Sequence, residues 1–103
     1  MLHGFFIVAG LTAAPSALSA SPARYDGAAV RASGVAERVS YGRGSHPYAV
    51  YDLCDASGSC VRVVRFGAGA VAEGSVQAAI GTFRRLTFAG GRHVQNAVVI
   101  GHP

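Results

Sequence analysis

The chain has 103 residues, half of them apolar and 14% charged, a balance that excludes a disordered tail and suits one small domain with a single core. All nine basic residues are arginine. Against five acids (Asp26, Glu37, Asp52, Asp55 and Glu73) they give a formal charge of +4, which favours polyanionic partners but says nothing about fold, and which an arginine-rich genome would also produce.

The first segment combines an apolar stretch, Phe5 to Ala14, with the small-residue run Pro15-Ser16-Ala17-Leu18-Ser19-Ala20-Ser21. The stretch is shorter than the roughly 20 apolar residues a membrane helix needs, so no stable membrane span is expected. It reads as a signal peptide over residues 1–23, followed by one domain over 24–103. Ala17-Leu18-Ser19 is the expected cleavage site, with Ala20 and Ala23 as alternatives. The signal departs from the usual pattern in having no Lys or Arg near its start, and a retained, buried N-terminal segment is the competing reading. The expected location is periplasmic or secreted.

From Ala28 onward the apolar residues alternate or run in short clusters, broken at short intervals by Gly, Ser, Asn and Asp, which is the pattern of an all-β domain. The first expected strand covers Ala29 to Tyr41. Alternation changes phase between Val30-Ala32 and Val35-Val39, and Gly34 marks the expected bulge or bend. After the loop Gly42 to Pro47, two strands, Tyr48 to Cys54 and Cys60 to Phe66, flank the turn cluster Asp55-Ala56-Ser57-Gly58-Ser59. With Ala49, Tyr51, Leu53, Val61 and Val63 turned inward, Cys54 and Cys60 share the outer side, where facing positions of a hairpin satisfy disulfide distances. A bridge is therefore expected in an oxidising compartment, with two reduced thiols as the alternative. Asp52 falls on the same outer side as Arg62 and would repel phosphate unless the two pair.

Gly67 to Gly74 is a connection with at most one helical turn. The fourth strand begins near Ser75 and runs to Phe88 with a bend at Gly81. Ala89-Gly90-Gly91 is a turn, and His93 to Ile100 is the last strand. Five strands without a helix of normal length must hide their edges, and closure into a barrel does so.

The stretches Val30-Arg31-Ala32-Ser33-Gly34-Val35, Tyr51 to Phe66, and Glu73-Gly74-Ser75-Val76-Gln77-Ala78 with Gly81 resemble an OB-fold. The likeness is strongest to the nucleic-acid-binding subclass of tRNA-anticodon and exonuclease-type OB domains, and it covers most of residues 28–101. It implies a small five-stranded Greek-key barrel whose ligand crosses the outer face of the central hairpin between two loops. Carried over residue by residue, the first loop offers Tyr41, Arg43, His46 and Tyr48. The second offers Arg84, Arg85, Phe88 and Arg92 with His93 beside them, and Arg62 lies between. Arginine forks and aromatic faces suit single-stranded nucleic acid, where phosphates take charge and bases take stacking. Strand-end aromatics such as Tyr41, Tyr48 and Phe88 also serve as core plugs.

A protein- or oligosaccharide-binding module using the same face is the alternative. A haem-chaperone-like carrier is a weaker one: His102 follows the last strand, but the acidic and tyrosine companions of that family are absent. No His-x-x-x-His or Cys-x-x-Cys metal spacing, phosphate loop or carboxylate pair is present, so neither enzymatic activity nor a cofactor is expected.

Overall fold

The structure is a computed structural model that describes residues 10–43 and 45–103. Much of the apolar stretch Phe5 to Ala14 falls outside the described residues. The elements follow in the order β1 (Leu11–Thr12), α1 (Pro15–Ala20), α2 (Pro22–Tyr25), β2 (Ala29–Gly42), β3 (Tyr48–Cys54), β4 (Cys60–Phe66), β5 (Val76–Ala89) and β6 (Arg92–Ile100). The strands form one sheet in the order β1-β2-β3-β4-β6-β5, and β5 returns to pair with β2, closing five of the six strands into a ring. Every ring pairing is antiparallel except β4 with β6, where Arg62 to Arg65 run beside Ala97 to Ile100 in the same direction. The all-β ring expected from the alternation is therefore present, with one short strand and two short helices added before it.

Closure rests on β2. Its first half pairs with β5 and its second half with β3, and Val35 is in register with both Val76 and Cys54. The strand must bend to serve both neighbours. β2 changes partner beside Gly34, but the bulge itself lies further on: pairing with β3 slips between Glu37 and Ser40, around Arg38, whose φ of 54° is left-handed. The inward phase consequently runs Val30, Ala32, Ala36 and then Val39, so Ala36 and not Val35 enters the core. Gly34 serves a different end. A Cβ there would collide with the backbone carbonyl of Cys54, so the missing side chain lets the end of β3 approach. Gly81 likewise makes room for the Val99 carbonyl within an unbroken β5, beside Thr82, where the strand passes from β2 to β6.

The core inside the ring holds Val30, Leu53, Tyr51, Val63, Phe83 and Val98, each at most 2% exposed. Full burial of each such side chain contributes about 1.5–3 kcal/mol. Tyr25 of α2 meets Phe83 edge-on, with ring centroids 6.5 Å apart. No helical turn forms in the connection from Gly67 to Gly74. Instead Val71 inserts into the core, and the Tyr41 hydroxyl holds that loop by donating to the Val71 carbonyl and accepting from its amide, both at 2.9 Å.

The expected hairpin is realised residue for residue, with Cys54 facing Cys60 in a disulfide. Its turn is organised by Asp55, whose Oδ1 accepts from the Ser57 amide at 3.0 Å and the Ser59 amide at 3.3 Å. The other oxygen accepts from the Ser16 amide at 3.1 Å, so the turn also caps α1, whose own N-cap is Ala14. Together the Ser57 hydroxyl and the Ser16 and Ser57 amides hold the Asp55 carboxyl below the usual carboxylate range.

The Gly34 contact yields a direct expectation. Gly34→Ala should destabilise the fold by roughly 1 to 3 kcal/mol and lower Tm by about 5 °C or more. Thermal unfolding followed by circular dichroism decides it, since a Gly in an ordinary strand position would give an unchanged or higher Tm on the same substitution.

Candidate binding face

The outer side of β3 and β4 was the expected ligand surface, and much of it is covered. Val64, Ala97, Ala89 and Val94 are buried in a second apolar cluster outside the ring, with Tyr48, Val50 and Phe66 packed against it. The cover comes from the far half of the β5–β6 hairpin, which carries Ala89 and Val94. Asn96, left-handed at φ 52°, lies in β6 just before that strand joins β4. What remains accessible is a border around this cluster.

Along that border the two expected loops meet. One cleft is bounded by Arg43 and His46 from the loop after β2, by Phe88, Gly90 and Gly91 from the β5–β6 tip, and by Tyr48 between them. A neighbouring cleft shares Tyr48 and adds Arg62, Arg92 and His93. Arg43, His46, Arg92 and His93 are exposed, and Phe88 is 55% exposed with its ring edge-on to His93 at 4.8 Å. Arg84 belongs to the same outer side: it is paired with Ala97, and Ala97 with Arg62, so two strand spacings of about 4.8 Å separate the arginine positions.

One expected site residue lies elsewhere, and two tyrosines of the site also make structural contacts. Arg85, the next residue along β5, lies on the other side of the hairpin, where its amide donates to Asp26 at 3.1 Å and its side chain borders a cleft with Pro22. Tyr41, 50% exposed, lines the second cleft with Tyr48 and Arg62 while its hydroxyl is committed to Val71. Tyr48 is half-buried, its ring packed where side chains at Gly42 and Gly90 would collide with it and its edge against Phe66 at 6.3 Å. Tyr48 is thus part core plug and part cleft floor. His102 is exposed beyond the end of β6.

Asp52 pairs with Arg62, as the shared face required, at 2.8 Å between carboxylate and Nε. Its second partner is not evident from the residue pattern. Arg38, turned by the bulge, donates through Nε to the other carboxylate oxygen at 2.6 Å, and its Nη2 lies 3.8 and 3.7 Å from the sulfurs of Cys54 and Cys60. The only local clue would have been a polar residue breaking alternation between Glu37 and Val39. The Asp52 side chain is 14% exposed. Burial alone would raise its carboxyl, but the hydrogen bonds from Arg38 and Arg62 outweigh that and hold it below the usual carboxylate range. The negative charge facing the border is therefore neutralised locally.

Beyond Arg62 a wider, mostly polar opening of about 630 Å³ is lined by Ser19, Asp52, His93, Gln95 and Asn96. No group of His, Cys, Asp and Glu suited to a metal ion occurs among the described residues. No protein-family model, curated protein or solved structure matches the chain.

The sign of the Asp52 effect is fixed by its lowered folded-state value. The ionised carboxylate stabilises the fold above the unfolded value near pH 3.9, and that contribution is lost as pH falls through the folded value. Asp52→Asn should be less stable than the natural chain by an amount that is constant above about pH 5 and shrinks below about pH 4. Urea unfolding at several pH values checks this; a stability gap that stays the same down to about pH 2 would contradict it.

Proposed function

We propose that this domain is an OB-type binding module for an oxidising compartment, and that it binds single-stranded nucleic acid or a similar polyanion along the border between its two loops. The strand order and the one parallel pairing of the ring support the OB reading, and the Cys54–Cys60 bridge supports the compartment. The observation that carries the ligand class is convergence. Arg43, His46, Arg92 and His93, from loops far apart in sequence, flank the exposed Phe88 ring and the Tyr48 floor, while the acid facing them is held between two arginines. Phosphates would take the arginine forks, and one or two bases would stack on the aromatic faces at roughly 1 to 3 kcal/mol each.

A second reading is favoured by the opening beside Ser19, where Asp52, Gln95 and Asn96 present hydrogen-bonding groups of mixed character. Such a lining suits a neutral oligosaccharide, which OB domains also bind.

Fluorescence anisotropy with a labelled 15-nucleotide single strand across a salt series separates the two. Engagement of about four phosphates gives a log-log slope of roughly −3. Arg92→Ala and Arg84→Ala should each flatten it by about 0.7, whereas Arg85→Ala, on the far side of the hairpin, should leave it unchanged. No binding at low salt, or an Arg85→Ala effect equal to that of Arg92→Ala, would sink the polyanion reading; salt-independent binding of an oligosaccharide panel would favour the second.

A further inference from the structure

The residues expected to leave with a signal peptide are built into the domain. Leu11 and Thr12 pair in parallel with Val30 and Arg31, and the Ala13 amide donates to the Arg31 carbonyl at 2.9 Å. These bonds extend the sheet beside the half of β2 that β3 does not reach. Pro15 and Leu18 of α1 are buried, and Leu18, 0% exposed, is one of the largest fully buried side chains among the described residues. It joins the same core cluster as Tyr51, Leu53 and Phe83.

Polar contacts fix the segment at both ends of α1. The Ser16 amide is received by Asp55 of the hairpin turn, and the Ser19 hydroxyl donates to the Cys60 carbonyl at 2.6 Å. Both acceptors belong to the disulfide-closed hairpin, so the bridge holds in place the surface on which α1 sits.

A leader that is removed has no reason to match the domain it leaves. Cleavage at any of the three expected positions, after Ser19, Ala20 or Ala23, would take Leu18 out of the core. Loss of a buried leucine opens a cavity and exposes its apolar neighbours. The amide pairing on β2 would go with it.

We propose that residues 10–25 are a retained plug of the barrel and remain part of the working protein, with α1 and its Ser19 forming one wall of the opening beside Arg62 and His93. This inference stands apart from the polyanion reading, because it rests on packing inside the domain and not on what the domain binds.

The test uses the full chain, produced in a secretion-competent bacterial host and purified without denaturation. Intact mass gives the N-terminus, and thermal melts are recorded for Leu18→Ala and, as a control, Leu11→Ala at a 57% exposed position. The expected product starts at or before Gly10, Leu18→Ala melts roughly 10 °C or more lower, and Leu11→Ala shifts by only a few degrees. A product starting after Gly10 would overturn the proposal, and so would a Leu18→Ala melt that matches the natural chain. The mass measurement decides even where Leu18→Ala fails to fold.

Discussion

One strand has to satisfy two neighbours that lie in different directions, and most of the molecule follows from how β2 does so. A sheet closed into a ring needs strong coiling in at least one strand, because flat strands cannot meet their own far edge. Here β2 changes partner at Val35 and takes an extra residue into its pairing with β3 around Arg38. The left-handed backbone at that point costs something for a residue with a side chain. It is offset locally: the guanidinium is delivered onto Asp52 and over the disulfide, where it makes a charge-assisted bond. The bulge that closes the barrel thus also neutralises the acid on its outer face.

The same economy governs the outer surface. A ring of this size encloses a core only a few side chains across, and the domain extends it by folding the β5–β6 hairpin over Val50 and Val64. That cover removes apolar area from water and also displaces the accessible chemistry to a border. The charged and aromatic residues lie where the hairpin tip faces the loop after β2.

Much of this was legible in the residues. The central hairpin, its inward set Ala49, Tyr51, Leu53, Val61 and Val63, and the pairing of Cys54 with Cys60 all follow from alternation around a turn cluster, because a period of two leaves one consistent register. The bulge was not legible, since a glycine at a phase change is the usual signal and the chain instead places Arg38 there. Neither was the division of Arg84 from Arg85: adjacent strand residues point to opposite sides, but which side is outward depends on β5 continuing through Gly81 as one unbroken strand. Alternation also cannot reveal that an outward valine such as Val64 is covered, because the cover is a hairpin further along the chain, carrying Ala89 and Val94, that folds back over it. The segment Pro15 to Ala20 admits two readings for a compositional reason. Small apolar residues serve equally as an export signal's processing region and as a short helix that packs closely on a β-barrel.

The claim at the centre is that ligand follows the border between the loop after β2 and the β5–β6 tip. Amide chemical shifts of the nitrogen-15-labelled domain, followed during titration with an unlabelled single strand, test it residue by residue. The account predicts that the largest shifts map to residues 45–48, Arg62 and residues 88–93, with Arg85 and residues 22–26 unmoved. Shifts centred on Arg85 and α2, or scattered evenly over the ring, would contradict it.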